Sequence, residues 1–295
     1  MNDPMPFQRP GPMPFRLLID EALRKARGHF RTLYLPVAVP VAALATLLPV
    51  AQAVWFPRMI TDPGNSLAML PAFYLLIFVY AAIVMVAYMA LQVGVVDALM
   101  GRPVDMKRAW SFAIRGRVLG TLALSYLAIV ASMLCCCLPV LYVGPLLSFV
   151  STIMVDEGRF STDALRRSAD LANYDAGQGF FERPIVKVFL MLLIGVLISY
   201  MLGLLVALPF QIPMYVDMFR KAASGEDTLQ SMPRWLWLQV PAQFLNILVS
   251  TAVYVYISFG VALLFYDTRG RKEGVDLRSE IDEVFGGPPP ELPLR

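Results

Sequence analysis

The sequence predicts an all-α protein, a polytopic membrane helix bundle with six transmembrane helices and an N-terminal amphipathic helix. The first reason is composition: 58% of the residues are hydrophobic and only 16% are charged, whereas soluble domains carry about 25% charged residues. The second is that several apolar runs reach the roughly 20 residues that a helix needs to cross a bilayer. The third is the junction after residues 259–266, where an apolar run meets a dense charged sequence, as at the end of a span.

Composition also excludes several classes of function. A net charge of only +3 gives no electrostatic support for binding nucleic acid. One histidine, His29, and three cysteines exclude most metal sites. The chain has no zinc-protease, serine-hydrolase, P-loop or CxxC motif, and one histidine cannot form a histidine-based acid–base pair. We therefore expect no enzyme activity, no catalytic residue, no metal and no cofactor.

The N-terminal segment divides in two. Residues 1–14 contain five prolines, which lack an N–H and resist helix formation, so we expect a disordered tail. Residues 15–29 place apolar side chains at helical spacing beside basic ones, which predicts an amphipathic helix lying in the membrane interface. The membrane domain covers residues 15–280, and a second disordered tail follows at 281–295.

Six apolar runs define the predicted spans. Pro209 and Pro213 bracket the end of the fifth, because proline interrupts the hydrogen-bond ladder of a helix. The third and fourth form one apolar stretch that is too long for a single crossing, so we favour a tight turn near Pro139. A single long kinked helix is the alternative. The spans cover residues 33–56, 70–99, 118–138, 140–156, 185–208 and 236–266.

The distribution of basic residues predicts the orientation. With a cytoplasmic N-terminus, nearly all of the 25 lysines and arginines lie on the cytoplasmic side, as the positive-inside rule requires. An even number of spans with both ends cytoplasmic explains this bias. Two basic loops, at residues 103–117 and 161–172, each predict a short amphipathic helix on that face, the second capped by Ser161 or Thr162. The exceptions to the bias are Arg58, Arg220, Lys221 and Arg234.

Four polar side chains mark the sixth span. Their spacing of four, three and four residues places them on one face of a helix. In lipid such a face turns toward other helices and forms interhelical hydrogen bonds; the alternative is that it lines a polar pathway. The four residues are Gln239, Gln243, Asn246 and Ser250.

Charged residues cluster at the predicted cytoplasmic ends of the spans. An acidic pair ends the fourth span close in sequence to two arginines, and more charges follow the sixth span. The pattern indicates either a salt-bridged turn or a docking surface for a partner or a lipid headgroup. The set comprises Asp156, Glu157, Arg166, Arg167, Asp267, Arg269, Arg271 and Lys272.

The spans offer no obvious carrier for an ion. Asp97 lies near the end of the second span, where we expect it to pair with Arg102 or to reach the interface. No carboxylate lies at mid-bilayer in any predicted span, which argues against an ion-coupled pump.

Two further patterns concern packing. Neighbouring residues on a helix point about 100° apart, so Cys135, Cys136 and Cys137 cannot converge on one metal; small apolar packing is favoured over lipidation or redox sensing. Gly195 and Gly203 form a small-residue face on the fifth span, which allows close packing within one chain or between chains. The oligomeric state therefore stays open.

Three segments resemble a family of bacterial integral membrane proteins. The C-terminal run LLFYDTRGRKEGVDL, residues 263–277, is similar to the family's ending, and residues 155–168 and 18–23 resemble its VVEG-containing stretch and its entry helix. The family groups the membrane domain of glycerophosphoryl diester phosphodiesterases with YciC-like proteins. The resemblance implies a six-helix module of the bacterial inner membrane. The phosphodiesterase chemistry belongs to a separate soluble barrel domain, whose histidines this chain lacks.

Together these observations favour a non-enzymatic inner-membrane protein that organises lipid or protein partners at the cytoplasmic face. Charged motifs cluster at that face, whereas the spans lack charge at mid-membrane. The alternative is a transporter or channel for a lipid or amphipathic small molecule, which the polar stripe on the sixth span supports. The expected partners are membrane lipids; a protein partner or homo-oligomer is left open, and nucleic acid is not expected.

Overall fold

The computed structural model describes residues 13–61, 63–135, 137–175, 179–224 and 232–274. Within these ranges every regular element is a helix and no strand is present. A short 3-10 turn, Phe180–Glu182, precedes the ninth α-helix. The α-helices are α1 (Phe15–Ala45), α2 (Leu47–Thr61), α3 (Pro63–Leu99), α4 (Met106–Ala113), α5 (Gly116–Cys135), α6 (Cys137–Leu147), α7 (Val150–Asp156), α8 (Ser161–Ala172), α9 (Pro184–Ser224) and α10 (Met232–Glu273).

Six helical segments of the described chain are long and apolar enough to cross a membrane. This confirms the predicted all-α polytopic bundle. The first segment joins α1 to α2, and the fourth joins α6 to α7. The segments are Phe15–Trp55, Pro71–Leu99, Gly116–Leu134, Pro139–Asp156, Pro184–Ser224 and Trp235–Glu273.

The sequence predicted a separate amphipathic helix over residues 15–29, but the structure does not contain one. α1 runs without a break from Phe15 into the first span. Its apolar stripe of Leu18, Ala22 and Ala26 is buried, because α1 packs along α10 over much of its length. The apolar stripe therefore faces another helix of the bundle and does not lie in the membrane interface.

The end of the predicted N-terminal tail is part of the bundle. The Met13 side chain is buried, and its carbonyl accepts a hydrogen bond of 2.8 Å from Lys187 Nζ. Lys187 is itself fully buried and pairs with Glu182 at 2.6 Å. Residues 1–12 and the predicted tail at 281–295 lie outside the described residues, as does Cys136.

The third and fourth spans form an antiparallel hairpin. The Ser161 N–H, just beyond α7, donates a 2.7 Å hydrogen bond to Thr121 Oγ1 in the second turn of α5. In a single helix these two residues, 40 positions apart, would be separated by about 60 Å. The alternative of one long kinked helix is therefore wrong.

Both basic loops form helices, α4 and α8, but only α4 is capped by a side chain. Asp105 accepts a hydrogen bond of 2.9 Å from the Lys107 N–H at the start of α4. The predicted cap of α8 is wrong: Phe160 occupies the N-cap position, and no side chain caps it. Ser161 instead has φ of +58° and uses its N–H to reach Thr121.

The fifth span does not end at its prolines. α9 continues through Pro209 and Pro213 to Ser224. Each proline removes one hydrogen bond from the ladder, and neighbouring helices make this loss tolerable in membrane proteins. The extension is fastened to α10, because Trp235 Nε1 donates to Asp217 Oδ2 at 2.8 Å.

α10 is the central element of the bundle. It packs against α1, α2, α3 and α9, and residues 258–266 are all buried. The adjoining part of α3, residues 89–99, is covered as well. We call the end that holds Met13 and Glu273 the charged end, and the opposite end the far end. Exposed charged side chains of α1, from Arg16 to Arg31, lie toward the charged end. Exposed side chains toward the far end are mostly apolar.

The contact of α9 with α10 depends on Gly195. A Cβ placed there would lie 2.2 Å from Ile257 Cδ1. We expect Gly195→Leu to lower the thermal unfolding midpoint in detergent, at a cost of about 1–3 kcal/mol for overpacking. Gly120→Leu is the matched control, because Gly120 is exposed on α5 with nothing within 4 Å. Equal shifts for the two variants would contradict this packing.

Candidate functional site

The predicted docking charges form an internal ion-pair network at the charged end. Arg269 of α10 pairs with Asp156 and lies 2.9 Å from Glu273. Arg167 of α8 pairs with Glu157 at 3.2 Å and also with Glu273. These five residues, which we call the carboxylate–arginine clamp, join the end of α7 to α8 and α10. The salt-bridged alternative is therefore what the geometry favours for them.

The local sequence explains why the clamp needs arginines. Asp156 and Glu157 lie at the C-terminus of α7, where the helix dipole disfavours negative charge. Gly158 turns the chain away with φ of +63°, a conformation that suits glycine. The two carboxylates are thus held together in a small volume, and cations from α8 and α10 must neutralise them.

Arg167 remains charged in this environment. Burial lowers the pKa of its guanidinium, but the hydrogen bonds and charges of Glu157 and Glu273 outweigh burial and raise the pKa above its ordinary value. The side chain of Arg167 is only 12% exposed. Arg167 therefore acts as a fixed positive charge beneath the surface of the charged end.

The rest of the predicted docking set divides into paired and unpaired residues. Arg271 pairs with Asp267 at 2.6 Å within α10. Lys272 reaches Asp170 of α8 at 2.5 Å. Arg166 is exposed and forms no ion pair with any residue that the structure describes.

Asp97 pairs as expected, but loosely and with two partners. Its carboxylate is almost fully buried, and its oxygens lie 3.9 Å from Arg102 Nη1 and from Arg108 Nη1. Oxygen Oδ2 makes no hydrogen bond. Asp97 therefore ends the second span as a structural anchor between α3 and α4 at the charged end.

The polar stripe of α10 faces α9 and lines two adjoining cavities. Gln239, Gln243 and Asn246 line a cavity of about 160 Å³, which we call the far cavity. Asn246 and Ser250 line a second one of about 550 Å³, the middle cavity. The two share Asn246 and Gln211. The structure thus brings all four predicted residues to two adjoining cavities, of which the middle one is mostly apolar.

A third cavity extends this surface toward the charged end. The inner cavity, of about 380 Å³, shares Tyr88 and Tyr254 with the middle cavity. The two rings, 4.1 Å apart between centroids, lie at the boundary. The remaining polar lining of the inner cavity comes from Gln92, Ser125, Ser148, Ser151 and Ser258.

The sequence reasoning missed Gln211, Tyr88 and Gln92 as lining residues. Tyr88 and Gln92 are four positions apart in an otherwise apolar helix, a spacing that places them on one face, so the signal was present. Gln92 donates to Thr152 of α7 at 2.9 Å, and this buried bond joins the second and fourth spans. Gln211, by contrast, lies on α9, and the sequence does not show that α9 is the helix that packs beside the stripe.

An apolar groove lies on the other side of the α9–α10 contact. It has a volume of about 680 Å³ and an almost entirely apolar lining, to which α1, α9 and α10 contribute. Ile194 and Ile198, on its α9 wall, are 39% and 45% exposed. Gly195 and Ile257 are common to this groove and the middle cavity. An apolar groove and a cavity that carries neutral polar groups therefore meet along one pair of helices.

The three cavities offer neutral hydrogen-bonding groups, which in the middle and inner cavities are set among mostly apolar side chains. Their lining contains hydroxyls, amides and phenols, and none of the described residues that line them is charged. Nor do the described residues include a group of three or more His, Cys, Asp or Glu side chains placed to hold a metal ion. Such a surface can replace the hydration of an uncharged or zwitterionic polar group.

No family model matches the chain, and neither the curated proteins nor the solved structures include a match. The resemblance to the bacterial membrane-protein family therefore stays a prediction from the sequence.

The clamp should stabilise the charged end. We expect Glu157→Gln to lower the unfolding midpoint at a cost of about 2–3 kcal/mol, because it removes a buried charge partner from Arg167. Asp20→Asn is the control, since Asp20 is exposed and forms no ion pair with the described residues. A double-mutant cycle with Arg167→Gln should show strong non-additivity; additive effects would contradict the pairing.

Proposed function

We propose that the chain is a transporter of an amphipathic molecule in the bacterial inner membrane. Its substrate would move along the far, middle and inner cavities beside α10. One observation carries the proposal: the polar stripe of α10 lines the adjoining far and middle cavities, and no hydrogen bond joins its four side chains to another helix of the described chain. A scaffold that needs only interhelical contacts gains nothing from polar side chains around open volume.

The lining favours a lipid-like substrate over an ion. Ion pathways in membranes are marked by charged side chains or rings of carbonyls, whereas the described lining of these cavities is neutral. The apolar groove beside the middle cavity suits a hydrocarbon chain, and Ser199, Gln211 and Asn246 suit its polar head. Transport of this kind requires no catalytic residue and no cofactor.

The organising role at the cytoplasmic face is a second candidate. Pairing within the clamp weakens its original basis, because Asp156, Glu157, Arg167 and Arg269 already satisfy one another. One observation still favours it: exposed arginines at the charged end, Arg166 among them, lack a carboxylate partner in the described chain.

Transport is tested by flipping of a labelled lipid in proteoliposomes. The probe is zwitterionic phosphatidylethanolamine with an acyl-linked nitrobenzoxadiazole, whose accessibility to dithionite reports movement between leaflets. We expect the wild-type chain to accelerate quenching and the double variant Gln243→Leu/Asn246→Leu to abolish the acceleration, because it replaces two polar groups of the far cavity, one of which also lines the middle cavity, by apolar side chains.

The matched control for that experiment is Gln52→Leu. Gln52 lies on α2 and lines none of the three cavities, so its flipping rate should equal that of the wild type. If the wild type does not flip the probe, or if the double variant flips it at the wild-type rate, the stripe is interhelical packing and the transport proposal fails.

The orientation is tested by labelling single cysteines in cells, after the three native cysteines are replaced by alanine. We propose that the charged end is cytoplasmic, because nearly all lysines and arginines belong to it. Ser224→Cys, at the exposed end of α9, should react with an impermeant maleimide in intact cells. Lys107→Cys, exposed on α4, should react only after lysis; the reverse pattern would refute the orientation.

A further inference from the structure

A recess rich in arginine opens at the charged end, away from the α9–α10 cavities. It has a volume of about 760 Å³ and lies between the start of α5, the turn after α7 and the first turns of α8. Four guanidinium groups line it, and we call it the arginine recess. The four residues are Arg117, Arg159, Arg166 and Arg167.

The positive charge of the recess is not fully neutralised by the protein. Arg159 pairs with Glu157 at 3.0 Å, and Arg167 is divided among Glu157, Glu273 and Asp170. Arg117 and Arg166 form no ion pair with any described residue. Two aspartates, Asp163 and Asp170, line the recess beside the four arginines, and Asp170 is shared between Arg167 and Lys272. The recess therefore holds cations in excess.

The backbone around the recess is held in place. Gly158 and Ser161 both have positive φ, +63° and +58°. Most residues other than glycine adopt this backbone conformation only with strain. The Ser161 N–H donates to Thr121 Oγ1 at 2.7 Å and ties this turn to α5. Arg167 donates a hydrogen bond to Glu157, the residue before Gly158, and so fastens the turn to α8. A strained, multiply anchored turn is typical of a binding site.

The surface beside the recess identifies the source of its ligand. α5 begins at Gly116, and its apolar side chains become exposed within a turn of Arg117, starting with Leu119 at 39% and continuing to Leu127 at 62%. A cationic recess next to an exposed apolar helix fits a molecule with an anionic head and hydrocarbon tails. A soluble anion without hydrocarbon chains would make no contact with this apolar surface.

We infer that the arginine recess binds the phosphate headgroup of an anionic phospholipid, with the acyl chains along α5. Arg117 and Arg166 donate to the phosphate oxygens, since guanidinium groups match phosphate with paired hydrogen bonds. Arg167, which is largely buried, and Arg159, which is half exposed, add positive charge beside them. This site is independent of the transport proposal, because it shares no lining residue with the far, middle or inner cavity.

The test is a titration of the full chain, in a non-ionic detergent, with dioctanoyl-phosphatidylglycerol, followed by native mass spectrometry. We expect saturable binding of one lipid, weakened about tenfold or more by Arg117→Gln and by Arg166→Gln. Arg31→Gln is the matched control: Arg31 is exposed on α1 at the same end and has no ion-pair partner among the described residues. Its affinity should stay within about twofold of the wild type.

Further arms separate the alternatives. Dioctanoyl-phosphatidylcholine should bind at least about tenfold more weakly, because its headgroup has no net charge. Inorganic phosphate should not compete at comparable concentration; effective competition would mean that the recess takes a free anion and would overturn the lipid proposal. Unchanged affinity in both arginine variants, or equal loss in Arg31→Gln, would overturn the site itself.

Folding and transport are controlled within the same experiment. Arg117→Lys and Arg166→Lys keep the charge but lose the paired hydrogen bonds, so they should bind with intermediate affinity, whereas wild-type affinity in both would overturn the phosphate contacts. Gln243→Leu/Asn246→Leu should bind phosphatidylglycerol like the wild type. If that variant stops flipping lipid but keeps binding, the two proposals stand separately.

Discussion

The packing of α10 against α1, α3 and α9 is the interaction on which the rest of the structure depends. Residues 258–266 of α10 are all buried, and Gly195 and Gly260 allow α9 to approach closely, since a Cβ at either position would lie 2.2–2.3 Å from a side chain of the facing helix. Because lipid supplies no hydrophobic driving force between helices, such close contacts are what hold the bundle together. They bring both described chain ends to one end of the molecule and leave the polar stripe facing α9.

Two kinds of polar surface result, and they differ in how completely they are satisfied. At the charged end, Asp156, Glu157, Arg167, Arg269 and Glu273 neutralise one another; breaking a buried pair is costly, so this clamp is structural. Along α10, amides and hydroxyls instead surround cavities. Unpaired polar groups beside open volume are typical of a site that receives a ligand, and this contrast directs the functional proposal to the cavities.

The predictions that the structure confirms rest on strong and local physical signals. Six long apolar runs predict six helices in any arrangement, because backbone polar groups in lipid must be satisfied within the segment. The spacing of Gln239, Gln243, Asn246 and Ser250 was enough to place them on one face. The errors arose where a neighbour overruled a local rule: α10 covers the apolar stripe of α1, Trp235 fastens α9 beyond Pro213, and Thr121 takes the N–H of the supposed cap Ser161.

The sequence by itself determined the composition of each helix and which side chains share a face, because these follow from helical periodicity and apolar length. Only the tertiary structure decided what those faces meet. Arg269 and Arg167 proved to be partners of Asp156 and Glu157, whereas Arg117 and Arg166, equally charged in the sequence, line an open recess. The partner of a charge can lie ten positions away, as Glu157 does from Arg167, or 113 positions away, as Arg269 does from Asp156, and only the packing of the helices decides which partner it meets.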